Sequence, residues 1–327
     1  MLPDLKTSAG FDALREVGYG FNNFDRPQNF KMQAEIVDLA IKSAGSLTAE
    51  PGIVIDTAYL VLDSLLNAPR GFEFFSRFPK EEVIQFCRLA VASREQQLPL
   101  PVVCPVCPDF THGLGYQLND GIDTSGELIL ANLDPLLGFF SKRSFGIQID
   151  IHLADVEMFD QKVFEFSGET QEEFLAKTNR TIEKMRDVIQ SLGLKEVVTV
   201  GSMMGIMATS NFSYLNRKAT NVDGIKREKT SKKIRKTHEA LVQERLRLST
   251  AIGTITETDY SEIATEELAD YSTYGDFING QAVILSSDAR SAVPAYNFLR
   301  TGHDEKTINP TIYLKKVKEK GGDLYTY

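Results

Sequence analysis

Leu100-Pro-Val-Val-Cys-Pro-Val106 has the pattern of a short buried strand and runs directly into a polar, glycine-containing loop, Cys107-Pro-Asp-Phe-Thr-His-Gly-Leu-Gly115. The same pairing of an apolar strand with a polar loop occurs three more times: Gly146–Ile151 with His152–Asp160, Glu196–Val200 with Gly201–Gly205, and Gln281–Leu285 with Ser286–Ser291. Helical patterns alternate with these strands, which favours right-handed crossovers and a parallel sheet. The sequence therefore predicts a Rossmann-like α/β fold, with helices on both faces of an open sheet.

The four polar loops are the expected location of a site. Open parallel sheets bind ligands outside the carboxyl ends of their strands. Because every one of these loops follows a strand, a parallel sheet would bring them to one edge. No single motif in them identifies a substrate or a reaction.

The 327 residues allow one large α/β domain or two smaller ones. Residues 1–99 show mainly helical periodicity, as in Phe30–Ser43, Asp56–Leu66 and Lys80–Ser93. The aromatic cluster Phe72–Phe78 is interpreted as a core packing seam. We expect residues 1–99 to form a helical part packed on the core, and residues 100–327 to form the Rossmann-like domain.

Composition excludes several classes of protein. With 42% hydrophobic and 25% charged residues, the chain has the apolar content of a folded protein rather than a disordered one. It has no apolar run of the roughly 20 residues that a membrane helix needs, and the N-terminus has no signal-peptide pattern. Three cysteines argue for a reducing compartment, so we expect a cytoplasmic protein. The net charge of −9 disfavours nonspecific nucleic-acid binding by the whole surface.

Cys104 and Cys107 have the spacing of a zinc knuckle or a redox pair. No second pair exists, because Cys87 is the only other cysteine, and His112 is the only nearby histidine. We therefore expect reduced cysteines packed at a strand end, and no zinc. The cofactor stays unknown at this point.

The loop after the first strand contains the densest set of reactive groups. Asp109 and His112 are candidate catalytic residues, while Thr111 can donate a hydrogen bond to a phosphate or carboxylate. Gly113 and Gly115 allow the backbone to approach a ligand closely. The loop resembles the histidine-containing, phosphate-gripping loop of class I nucleotidylyltransferases and aminoacyl-tRNA synthetases. Their mobile lysine-rich loop resembles residues 228–233 here.

The other loops supply further candidates. Asp155 is a candidate catalytic residue, and Glu157 is a candidate for substrate binding. Alternatively, Asp155 holds a divalent cation together with Asp160, or it caps a helix. Ser202 is either a substrate-binding or nucleophilic group or a cap. Asp288 and Arg290 suit a substrate's amine and its carboxylate or phosphate, or they pair with each other. We expect His112, Asp155 and Arg290 to share one pocket.

Residues 226–247 contain nine basic and three acidic residues, a net charge of +6 in a chain of −9. Three interpretations stay open: a solvated helix, contact with a phosphate-bearing small substrate, or binding of an RNA partner. In the last two, Lys232, Lys233 and Lys236 would contact the anion.

Residues 60–195 resemble in layout the isonitrile synthases of the pyoverdine and dityrosine biosynthesis family. The matching pieces are the proline-rich strand and loop Leu98–Pro108, the helix start Gly126–Leu130, and the strand with an acidic turn Ile149–Glu157. The resemblance implies a Rossmann-like enzyme that condenses an amino acid with a phosphorylated sugar, and it assigns no catalytic residue. The leading interpretation is therefore a small-molecule biosynthetic transferase or synthase. The alternatives are a nucleotide-binding or tRNA-dependent transferase of class I synthetase type and a non-catalytic binding protein.

Overall fold

The computed structural model describes residues 38–43, 50–69, 72–75, 79–106, 133–159, 161–227, 235–236, 238–240, 242–243, 255–286 and 308–314. Its helices are α1 Pro51–Leu66, α2 Pro79–Glu95, α3 Leu133–Ser141, α4 Gln161–Ser167, α5 Gln171–Ser191, α6 Met203–Thr209, α7 Tyr214–Arg227 and α8 Glu257–Ile278, with a 3₁₀ helix at Asp155–Phe159. The strands are β1 Phe72–Phe74, β2 Leu100–Val106, β3 Ile147–Leu153, β4 Val198–Ser202, β5 Val283–Ser286 and β6 Thr311–Leu314. None of these helices is long and apolar enough to cross a membrane.

The strands form one sheet in the order β1-β6-β5-β2-β3-β4. β1 pairs antiparallel with β6, and the other pairings are parallel. From β2 the chain moves outward through β3 to β4, and it then returns to the other side of β2 to form β5 and β6. The order therefore reverses between β2 and β5, which is the topological switch point of a Rossmann-like fold. The predicted fold class is confirmed.

Each face of the sheet packs against helices. Alternate side chains of the central strands, such as Val102 and Ile149, pack with Phe86 of α2, Phe140 of α3 and Met185 of α5 in the main core. On the opposite face Val103 and Ile284 pack with Tyr274 and Ile278 of α8, in a second cluster. Helices thus cover both faces, as the sequence predicted.

Capping residues set the ends of the long helices. α5 begins with a capping box in which the Thr170 side chain accepts from Glu173 N–H, and Gly193 follows its end with a φ of 71°. A glycine at this position is a common helix end. α8 begins with a capping box in which Thr256 is the cap and Asp259 is its partner.

The first 99 residues contribute a strand as well as helices. Phe74 of β1 packs against Phe139 and Phe140, with ring centroids 5.6 and 6.3 Å apart. The described phenylalanines of the aromatic cluster, Phe72, Phe74 and Phe75, are therefore part of the core, as predicted. The helical periodicity of this part gave no sign that residues 72–74 pair with β6.

Candidate functional site

The switch point lies between the carboxyl ends of β2 and β5. The register pairs Val103 with Ile284, so the two strands end at Val106 and Ser286 on the same edge, and both of these residues are buried. The loops that follow these strands contain seven of the predicted site residues. Those residues lie outside the described part of the chain: Asp109, Thr111, His112, Gly113, Gly115, Asp288 and Arg290. Their shared pocket stays a prediction.

A buried histidine lies at the same edge, on the strand beside β2. His152 is only 5% exposed, and its Nδ1 atom lies 2.8 Å from the hydroxyl of Tyr274 on α8. The two rings are nearly perpendicular, at 89° with centroids 5.8 Å apart. Within the described ranges no residue bonds to Nε2 of His152. One ring nitrogen is thus fixed by Tyr274 while the structure assigns the other no protein partner.

Burial keeps this pair uncharged at neutral pH. Desolvation lowers the pKa of His152 to about 4, and the carboxylate of Asp150 opposes that shift only in part. Burial, with the negative fields of Cys104 and Asp150, raises the pKa of Tyr274 well above its usual range. A neutral imidazole can accept a proton or donate a hydrogen bond, so the pair has the chemistry of an acid–base or polarising group.

Asp155 and Ser202 meet at the ends of β3 and β4. The Ser202 hydroxyl donates to one carboxylate oxygen of Asp155, and Met204 N–H donates to the other at 2.8 Å. Ser202 Oγ also accepts from Gly205 N–H at 3.0 Å, which makes it the N-cap of α6. Burial raises the pKa of Asp155, and the bonds from Ser202 and Met204 act against this shift. The structure thus joins two predicted site residues in a contact that also fixes the start of α6.

The other predicted loop residues have separate positions. Glu157 lies in the 3₁₀ helix after β3, and its side chain is not described. Cys104 is a buried cysteine in β2 that forms no disulfide among the described residues, whereas Cys107 lies outside them. The part of the chain that the structure describes contains no group of three or more His, Cys, Asp or Glu arranged to hold a metal ion.

A second buried polar cluster joins α7 to α8. Lys218 Nζ lies 2.8 Å from a carboxylate oxygen of Asp270, and both side chains are 7% exposed. The Tyr214 hydroxyl donates to the same carboxylate, and Lys218 is 3.4 Å from Glu266. Tyr214 also stacks on Phe159, which follows β3. The sequence analysis did not identify this cluster.

The described part of the basic segment packs against α8. His238 Nε2 lies 2.7 Å from Glu267 with both side chains buried, and Val242 is buried in a cluster with Ile263. Lys236 is exposed, while Lys232 and Lys233 lie outside the described residues. The contacts with α8 show that this segment is at least partly an internal element, and an anionic partner stays a prediction.

The fold and these contacts define a Rossmann-like α/β protein with polar residues at the carboxyl edge of its sheet. No family model matches the chain, and no curated protein matches it either.

Among solved structures, the chain is similar to the PvcA protein from Pseudomonas aeruginosa, with 16% identity, a TM-score of 0.49, and coverage of 72% of this chain and 80% of that one. It is also similar to AlbC, a cyclodipeptide synthase from Streptomyces noursei, with 11% identity, a TM-score of 0.41, and coverage of 66% and 95%. A third similar structure is tyrosyl-tRNA synthetase from Archaeoglobus fulgidus, with 12% identity, a TM-score of 0.43, and coverage of 81% and 64%. These similarities assign no residue a role.

Proposed function

We propose that the protein is a biosynthetic enzyme, a transferase or synthase, that acts on an amino-acid-like or phosphorylated small molecule at the carboxyl edge of the sheet. The observation that carries the proposal is the His152–Tyr274 pair, which is buried one strand away from the switch point. A neutral, oriented imidazole at this edge suits proton transfer or polarisation of a substrate carbonyl.

The polar loops around the switch point supply the remaining roles in this proposal. Arg290 would bind a carboxylate or phosphate, and Asp288 would bind an amine. Asp109 and His112 would transfer protons, with Thr111, Gly113 and Gly115 contacting the substrate through hydrogen bonds and close backbone approach. Asp155 would act through Ser202, which it already contacts.

Native mass spectrometry of the purified whole chain tests the proposal, because it detects small molecules that co-purify with the protein. Thermal-shift screening against amino acids, sugar phosphates and nucleotides then identifies which class stabilises the fold. We expect His152→Gln and Arg290→Ala to lower ligand retention. His238→Gln, a change at a buried histidine on the α8 contact instead, should leave retention unchanged. Equal retention in all three variants would contradict a site at this edge.

A further inference from the structure

β4 forms an edge of the described sheet, since within the described ranges only β3 pairs with it. Ile149 N–H donates to Val197 O at 2.8 Å. In a parallel ladder this pairing turns the backbone groups of residues 197, 199 and 201 towards β3. The backbone groups of Val198 and Val200 therefore face away from β3, where Val198 N–H already donates to Leu194 O at 2.9 Å. A hydrogen bond supports this orientation for Val200, whose carbonyl oxygen accepts from Arg186 of α5 at 3.3 Å.

A groove of about 350 Å³ lies beside this edge, between β4 and α5. Its apolar lining comes from Ile189, Val198 and Val200, and its polar lining includes Arg186 and Lys195. Lys195 is 3.9 Å from Glu196, with side chains 70% and 83% exposed, and such an exposed pair holds its lysine only weakly. Both cations can therefore pair with an incoming carboxylate.

We propose that the open edge of β4 binds an extended peptide segment of a partner protein, which carries an apolar side chain and a carboxylate on the same face. The peptide backbone would pair with Val198 O and Val200 N–H, since Val198 N–H and Val200 O already have partners, as in strand addition to an exposed sheet edge. The apolar side chain would fill the groove, and the carboxylate would meet Arg186 and Lys195. This surface is separate from the switch-point edge and does not depend on the function proposed there.

Charge argues for an acidic partner over a second copy of this chain. Two-fold pairing of β4 with itself would bring together two sets of Arg186, Lys195 and Glu196, each of net positive charge, and like net charges across an interface oppose association. A carboxylate on the partner removes that penalty and makes a charge-assisted hydrogen bond with arginine.

Amide hydrogen exchange followed by NMR tests whether the edge is open in the isolated chain. We expect Val200 N–H to exchange much faster than the amides of Thr199 and Gly201, which donate into the ladder with β3. Comparable protection of all three amides would show that the edge is already covered and would overturn the proposal. Sedimentation velocity on the same sample shows whether self-association provides that protection.

Fluorescence polarisation with short synthetic peptides tests the chemistry of the partner. The probes are a set of extended peptides with a central valine and a glutamate two residues away on either side, matched by glutamine versions and by N-methylated versions. We expect the glutamate peptides to bind about tenfold more tightly than the glutamine ones, and N-methylation to abolish binding. Arg186→Ala should remove the glutamate preference, whereas Arg180→Ala, an exposed arginine earlier on α5, should keep it. Absence of binding by every peptide, or equal behaviour of the two arginine variants, would overturn the proposal.

Discussion

The hydroxyl of Tyr274 lies 2.8 Å from Nδ1 of His152, although 122 residues separate them in the chain. The contact joins the central sheet to α8 at the carboxyl edge of the sheet. Since both groups are buried and uncharged at neutral pH, the bond fixes the orientation of the imidazole without placing a charge in the core.

We predict that His152 makes the fold less stable as the pH falls from 6.5 to 4. Its pKa is about 4 in the folded chain, against 6.5 for an ordinary histidine, so in this window the unfolded chain binds a proton that the folded chain does not. The free energy of unfolding should fall by up to about 1.4 kcal/mol per pH unit from this residue. Urea denaturation at several pH values measures it, with His152→Gln as the reference. Equal pH slopes in the two proteins would rule the prediction out.

Tyr274→Phe should lower the free energy of unfolding by about 1–3 kcal/mol, because it leaves Nδ1 of His152 buried without its partner. Tyr260→Phe on the same helix is the matched control. Tyr260 is only partly buried and its hydroxyl has no described partner, so its loss should cost less than about 0.5 kcal/mol. Equal urea midpoints for the two variants would show that the His152 contact contributes nothing to stability.

The sequence predicts the central sheet well because local patterns define it. Apolar runs followed by polar loops predicted the four strands β2 to β5, and the predicted strand Leu100–Val106 has the same bounds as β2. β1 and β6 were missed because they pair with each other across the length of the chain, and β1 has only three residues. So short a strand has no periodicity that separates it from a loop or from part of a helix.

The candidate site is less predictable because its contacts are long-range. Asp155 and Ser202 were predicted as site residues because they follow predicted strands, and the structure places them in contact. Nothing local indicates that Tyr274 reaches His152 or that Lys218 reaches Asp270, since the partners lie on elements that only the tertiary fold brings together. The buried side of α8 mixes polar residues such as Glu267, Asp270 and Thr273 with apolar ones, so no single polar residue stood out in its sequence.

We predict that the buried Lys218–Asp270 pair stabilises the contact between α7 and α8 as a unit. Asp270→Ala leaves a buried lysine without its closest carboxylate and should cost about 3–5 kcal/mol. Adding Lys218→Met should recover much of that loss, because it removes the buried charge that has lost its closest partner. Asp223→Ala, which breaks the exposed pair with Arg227 on the same helix, should cost less than about 1 kcal/mol. Simple additivity in the Lys218–Asp270 double-mutant cycle, measured by urea denaturation, would contradict the prediction.

The basic segment should loosen when its contact with α8 is broken. Glu267→Ala removes the partner of His238 Nε2, whose Nδ1 atom already has no hydrogen bond in its buried position. We expect amide exchange within residues 235–243 to become at least about tenfold faster by mass spectrometry. Lys236→Glu changes an exposed side chain and should leave exchange unchanged. If Lys236→Glu instead loosened the segment as much, surface charge rather than the buried pair would hold it.

Asp155 and Ser202 should be energetically coupled. Asp155→Asn keeps an oxygen for Met204 N–H but cannot accept the Ser202 proton, so we expect a loss of about 1 kcal/mol, against about 2–3 kcal/mol for Asp155→Ala. Ser202→Ala also removes the N-cap of α6, at a cost of about 1 kcal/mol. The double change should cost less than the sum of the single ones, with a coupling of about 0.5–3 kcal/mol.

Retention of the co-purified ligand separates the structural role of Asp155 from the proposed catalytic one. If Asp155 acts only as a structural tie, Asp155→Asn retains ligand in proportion to its folded fraction. If Asp155 belongs to the site, ligand retention falls further than the folded fraction from the unfolding data predicts. A substitution at Tyr214 that lowers the free energy of unfolding by a similar amount should not cause this additional loss of ligand.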